Sequence, residues 1–244
     1  MVNRKVLLVV KDIEDVSAQI NALLNFFSTD DKLVLAVYQD KIQSDWPFKM
    51  YDLGWPLLKE TNLAKKLQQS GALKKRSRAK WMESSSFLDL AVIHRSLFQD
   101  FSNQSEVRII LETIYCPIFL MDEHQKRFDE IYFSYNGTGS SFESIKHFTY
   151  LFHPHFDKSL LNLVVKVNDK ALNLENCVYD YLRLHKRHFA ISRYFDEDYD
   201  QGIESLLDES SSPLVVCGGE RHHNIDQFTH YSDHRSQPSS MFLL

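Results

Sequence analysis

"FDEIYFSYNGTGSSFESIKHFTYLFHPHFDKSLLNLVVKV", residues 128–167, holds the reading on which the fold turns. Residues 128–135 are an apolar, aromatic run of strand length. Asn136-Gly137-Thr138 then breaks the run with turn-forming residues. Ser140 begins a helix, with Glu143 three residues on as its capping-box partner. Phe142, Ile145, Phe148, Leu151 and Phe152 recur at helical spacing and form its inner face. "SLLNLVVKV", 159–167, is a second strand. Strand, helix and strand in so short a span make a βαβ unit with parallel strands and a right-handed crossover.

The pattern continues downstream. Residues 174–186 read as a helix packing on Leu174, Cys177, Val178, Tyr181 and Leu182. "FAISRYF", 189–195, is a strand, "YDQGIESLLDES", 199–210, a short helix, and "PLVVCGG", 213–219, a strand again. "SSMFLL" closes the chain as a last strand.

Upstream the same order appears once before. "KVLLVV", 5–10, is a continuous apolar run of the kind buried on both faces of a parallel sheet. A helix follows on Ile13, Val16, Ile20, Leu23, Leu24 and Phe27, with Asp12 at its N-cap and Asp15 three residues later. "KLVLAVY", 32–38, and "FLDLAVI", 87–93, are strands. A helix over roughly 104–114 carries Val107, Ile110, Leu111 and Ile114 on one face, and "CPIFLM", 116–121, is the closing strand. Residues 39–86 interrupt the order. "SDWPFKMYDLGWPLL", with two Trp-Pro pairs, reads as a loop packed by aromatics. Residues 62–82 read as one or two helices broken near Gly71, and no strand is expected between Tyr38 and Leu88. The landmarks therefore recur once, which predicts two tandem α/β domains, 1–124 and 125–244, the second more regular.

Charge narrows the function. Residues 1–124 hold 16 basic and 16 acidic residues, and 125–244 hold 12 and 17, so the net charge of -5 sits in the second half. Neither half has the basic excess of a nucleic-acid binder. No apolar run approaches the roughly 20 residues of a membrane span, and "MVNRKVLLVVKD" lacks the long apolar core and small-residue cleavage site of a signal peptide. The expectation is a cytoplasmic protein. Cys116, Cys177 and Cys217 are widely spaced with no CxxC pair, which reads as reduced, buried thiols.

These landmarks together resemble the universal stress protein family in its tandem form. Members of that family open with a strand ending in Asp-Gly-Ser. Later they carry a strand like "DLIVMG" that starts a phosphate loop of spacing Gly-two-Gly-nine-Gly-Ser/Thr, followed by a helix and a "CPVLVV" strand. Here "LDLAVIHRS" and "ETIYCPIFLM" match the first copy, and "YNGTGSSFESIKH" and "SSPLVVCGG" the second. The resemblance implies two Rossmann-like domains of the adenine nucleotide alpha hydrolase-like type. Each would have a parallel five-stranded sheet of order 3-2-1-4-5 flanked by helices, the first copy irregular. It also implies that the closing strands pair within one chain as an intramolecular pseudo-dimer, with a further homodimer left open.

Carried over residue by residue, the nucleotide positions are largely lost. In the first copy the opening Asp falls on Asp12, and its glycine has become Ile13. The loop glycines fall on His94, Leu97 and Gln104, with Ser105 after them. In the second copy the opening turn is Asn136, Gly137 and Thr138. Gly218 is the first loop glycine, the second falls on Arg221, and the last pair is Tyr231 and Ser232. Glycines let backbone N–H groups approach phosphate without an obstructing Cβ, so most of the cradle is missing. The candidate cofactor-binding residues are Asn136, Gly137, Thr138, Gly218, Gly219 and Ser232, with ATP as the ligand of the alternative reading and no cofactor in the first.

Other signals point to structure. His230 and His234 stand at i, i+4, but no third ligand lies at metal-site spacing, so with His222 and His223 they read as surface residues of a loop. His147, His153 and His155 sit near a helix end, where cations complement the dipole. "LKKRSRAKW", 73–81, reads as a solvated face, and "YFDEDYD", 194–200, as a cap with solvated charge. There is no GxSxG and no GxxxxGK, and no residue is assigned a catalytic role. The reading is a non-enzymatic, universal-stress-like protein acting through an unidentified protein partner. The alternatives are a nucleotide sensor in the second domain and a small-molecule binder in a re-used pocket.

Overall fold

The structure, a computed structural model, describes residues 4–10, 16–27, 31–38, 48–56, 87–94, 97, 111, 113–122, 125–156, 158–219, 224 and 239–244. The chain divides into two compact units, Met1–His124 and Gln125–Leu244. Among the described residues no helix is long and apolar enough to cross a membrane.

The first unit contains β1 (Lys5–Val10), α1 (Val16–Leu23), β2 (Lys32–Tyr38), β3 (Phe48–Pro56), β4 (Leu90–His94) and β5 (Ile118–Met121). The sheet order is β3-β2-β1-β4-β5. β1 lies at the centre, parallel to β2 and to β4, and β4 is parallel to β5. Val6 to Val10 are all fully buried, as a strand covered on both faces requires. Val16, Ile20, Leu23 and Phe27 turn inward from α1 and the turn after it, and Phe26 meets Phe119 of β5 edge to face at 6.0 Å. At the start of the sheet Asp31 accepts from the Arg4 backbone N–H (2.9 Å) and from both sides of its guanidinium, tying the beginnings of β1 and β2 together.

The expectation of a loop through 46–56 is corrected here. β3 is a strand, and it runs antiparallel to β2, so this sheet is parallel except at its edge. The reason is legible in hindsight. Both prolines of the Trp-Pro pairs fall at the ends of the strand, Pro47 just before it and Pro56 as its last residue, where a missing N–H is tolerated on an edge. Pro56 lies opposite Lys32, beside a register irregularity between Lys32 and Val34.

The second unit runs β6 (Glu130–Tyr135), α2 (Gly139–Phe156), β7 (Leu160–Val167), α3 (Asp169–His185), β8 (Ala190–Phe195), a 3-10 turn (Asp196–Asp198), α4 (Tyr199–Glu209), β9 (Pro213–Cys217) and β10 (Ser240–Leu243). Read from the far edge its order is β8-β7-β6-β9-β10, all parallel, which is 3-2-1-4-5 counted within the unit. The core is aromatic. Phe148 of α2 stacks on Phe152 (centroids 4.7 Å apart) and meets Phe133 and Phe242 edge to face. Phe152 departs from helical geometry (φ -116°, ψ 17°), two residues before Pro154, whose missing N–H cannot bond to the carbonyl of Tyr150.

Two local expectations need correction in this unit. The cap of α2 is Thr138, not Ser140. Its Oγ1 accepts the N–H of Ser141 (3.3 Å), and Ser141 Oγ donates back to the Thr138 carbonyl (2.8 Å). Glu143 instead pairs with Lys146 (2.5 Å). The buried stripe of α3 is also rotated from the expected one. Glu175, Val178 and Leu182 are buried, while Leu174 and Cys177 are exposed. Glu175 goes inward because Arg193 of β8 meets its carboxylate, so a polar contact displaces Leu174 from the core face.

Candidate functional site

The crevice beyond the C-terminal ends of β6 and β9 is where an open α/β sheet offers a ligand site, because the chain leaves these neighbouring strands in opposite directions. Asn136 stands at the end of β6. Its Oδ1 accepts from the N–H (3.1 Å) and the hydroxyl (2.6 Å) of Thr138, closing an Asx turn. The Asn136 carbonyl accepts from Asn168 Nδ2 (3.1 Å), just beyond β7. Gly137 lies between them at φ 83°, a conformation open to glycine.

Gly218 follows β9 and is buried against the first turn of α2. A Cβ built on it would stand 2.2 Å from the Ser140 carbonyl oxygen and 2.4 Å from Ser144 Oγ. The glycine is therefore needed for helix-on-strand packing, whatever else it does. Gly219 is exposed at φ 118°, and its Cβ position would lie 4.0 Å from Ser140 Oγ. Asn136 and Gly218 thus line one cleft, and Gly219 lies beside it. Ser232, Arg221, Tyr231 and the four histidines of 222–234 lie outside the described residues, as do Asp12, Ile13, Gln104, Ser105 and the basic run 73–81. In the first unit His94 and Leu97 are both buried, so side chains fill the positions where glycines would present backbone.

The cleft in the second unit measures about 110 Å³ and lies under α4. Several of its lining residues were not among the candidate binding residues: Ser134, Lys166, Tyr199, Asp200, Cys217 and Met241. Ser134 and Tyr199 share a hydrogen bond (2.7 Å). Lys166 Nζ is 5.5 Å from the Tyr199 ring centroid and pairs with Asp196 (2.5 Å). Lys166 is the cation among the described lining residues; Asp196 pairs with it, and Asp200 also lines the cleft. That balance disfavours a polyphosphate. The signal for these residues was positional: Ser134, Lys166 and Cys217 all fall in the last two residues of their strands.

No protein-family model matches the sequence, and no curated protein does so significantly. Solved structures do match. A universal stress protein from Archaeoglobus fulgidus DSM 4304 superposes with a TM-score of 0.59 at 10% identity, over 98% of this chain and 97% of that one. The chain shares its fold with that universal stress protein. The cytoplasmic domain of a prokaryotic cation chloride cotransporter is also similar, with a TM-score of 0.54 at 12% identity, over 99% of this chain and 96% of that one. At these identities the likeness is one of fold alone.

Among the described residues no group of three or more His, Cys, Asp and Glu is arranged to hold a metal ion. The expectation of buried thiols holds for Cys116 and Cys217 and fails for Cys177, which the rotated stripe of α3 leaves exposed. Burial pushes the Cys217 thiol up to about 12. This sets the sign of an alkaline effect. Above about pH 8.5 the unfolded chain loses the thiol proton while the folded chain keeps it. Cys217 should therefore cost stability at about 1.4 kcal/mol per pH unit from there upward, and nothing below. Urea midpoints of the reduced protein at pH 8 and pH 10 should show a fall that shrinks in Cys217→Ala. In native protein at pH 8, maleimide should label Cys177 well before the other two thiols, and Cys177→Ser should remove the fast phase.

Proposed function

We propose that this chain is a non-catalytic protein of the stress-response type that acts by binding another protein. On this reading the strand-end crevice of the second unit no longer serves a nucleotide. The carrying observation is that the polar groups of the crevice are used internally. Asn136 and Thr138 satisfy one another, Gly218 is closed by Ser140, and Lys166 is paired with Asp196. A charged ligand would have to displace these contacts, and each charge-assisted bond is worth about 1.5–3 kcal/mol.

Apolar side chains left in solvent supply a binding surface. Leu160 is 70% and Leu184 83% exposed. They flank the contact in which Lys186 Nζ donates to the Ser159 carbonyl, at the end of α3 and the start of β7. Affinity capture with the wild-type chain, beside a Leu160→Lys, Leu184→Lys double variant of unchanged circular dichroism, tests the reading. A partner retained by the wild type and lost by the variant supports it. Equal capture by both, or none by either, contradicts it.

The small-molecule alternative has one observation in its favour, the cleft under α4 lined by Ser134, Asn136, Tyr199 and Cys217. Mass spectrometry of the protein released from its native state would find such a ligand if it co-purifies.

A further inference from the structure

We propose that β8 is a self-association edge, on which a second copy of this chain pairs antiparallel through a twofold axis at Ser192. Among the described residues β8 is hydrogen-bonded to β7 alone and ends the sheet order. It carries no proline and no register irregularity against β7, two of the devices that blunt an edge, and its one charged side chain, Arg193, is engaged by Glu175. Its exposure is unusual too. Ala190, Arg193 and Phe195 are exposed, with Phe195 at 66%.

The charges flanking the strand select the partner. Lys186, Arg187 and His188 precede β8, and Asp196, Glu197 and Asp198 follow it in the 3-10 turn. An edge that is basic at one end and acidic at the other is self-complementary only when a copy of itself runs antiparallel, which is the isologous arrangement of a twofold dimer.

Strand geometry then restricts the register. Opposed residues must project to the same face, so the axis passes through a residue rather than between two. Centred on Arg193, two guanidinium groups would stand opposite each other, a like-charge pair that opposes pairing. Centred on Ser192, two hydroxyl-bearing residues face one another. Ala190 then lies opposite Tyr194, and Phe189 opposite Phe195. Beyond the strands the basic 186–188 end of one copy meets the acidic 3-10 turn, 196–198, of the other, with Arg187 and Glu197 among the charges brought together. Phe189 and Phe195 belong to the face on which Arg193 meets Glu175 and Tyr179 meets Phe189 (5.3 Å), so the exposed Phe195 of one copy would cover the half-buried Phe189 of the other.

A charge swap tests this with the full chain. Wild-type protein should dimerise in sedimentation equilibrium with a dissociation constant of about 10–100 µM, weak because a six-residue edge buries less than a standard interface. Association should weaken further in about 0.5 M salt. Arg187→Glu alone, and Glu197→Lys alone, each set two like-charge pairs across the axis and should weaken self-association about tenfold or more. Mixed together the two variants restore both opposite-charge pairs, so a heterodimer of wild-type affinity should form. A wild type that stays monomeric up to about 0.5 mM, far above the expected range, overturns the proposal. So do variants that associate like the wild type, or a mixture that fails to recover. None of these outcomes depends on what else the protein binds.

Discussion

Replacing Gly218 by valine should lower stability by about 3 kcal/mol, the upper range for overpacking. The corresponding fall in melting temperature is about 6–12 °C for a chain of this size. The cause is the missing space at the start of α2. The atoms nearest the built Cβ are the Ser140 carbonyl oxygen at 2.2 Å, Ser144 Oγ at 2.4 Å and the Ser140 carbonyl carbon at 2.5 Å, two of the three backbone. Backbone held in a helix cannot rotate away as a long side chain can, so α2 must shift as a body against β9. Gly139→Ala, one turn position away, is the control. Nothing lies within 4 Å of its Cβ position and its φ is not positive, so that variant should be as stable as the wild type or slightly more so. Equal stability of Gly218→Val and wild type would show that the helix and strand are farther apart than described. The same geometry disqualifies Gly218 as a clean probe of ligand binding, since loss of binding in the variant would follow from displaced packing alone.

Phe148→Ala should cost about 3–5 kcal/mol, the range for emptying a buried aromatic site. Phe148 is fully buried and joins four other rings: it stacks on Phe152, meets Phe133 and Phe242 edge to face, and lies 6.4 Å from Phe128. It holds α2 against β6 and β10 at once, so the cavity left behind cannot close by movement of one neighbour. Phe148→Leu keeps most of the volume and should cost far less. All three tryptophans lie in residues 1–124, so unfolding of the second unit is better read by circular dichroism than by tryptophan fluorescence. A loss below about 1 kcal/mol for Phe148→Ala would place the ring outside a close-packed core.

The α/β architecture was legible because its signals are strong and local. "KVLLVV" and the "LVV" of "SLLNLVVKV" are apolar runs of strand length that the sheet buries, and the spacing of Ile145, Phe148 and Phe152 fixes the inner side of α2. What stayed hidden depended on contacts distant in sequence. β3 is a strand because β2 offers it an edge, and its own residues and Trp-Pro borders look like a loop. The face of α3 was misread because hydrophobicity placed Leu174 and Cys177 inside, whereas the Glu175–Arg193 pair turns the helix by about one residue. The site was legible only in outline. Asn136 and Gly218 line one strand-end crevice. Lys166, Asp196 and Asp200, which set its charge, come from other elements that no short motif connects.

The central claim is that the crevice of the second unit has lost its use for nucleotide phosphate. Titration calorimetry of the purified chain with ATP tests it most directly. Lys166 is paired with Asp196, Asp200 lines the cleft, and the Thr138 and Ser141 amides are already bonded. The predicted result is no saturable heat, which corresponds to binding weaker than about 1 mM. Saturable ATP binding in the micromolar range, lost when Lys166→Glu reverses the charge of the cleft, would contradict it.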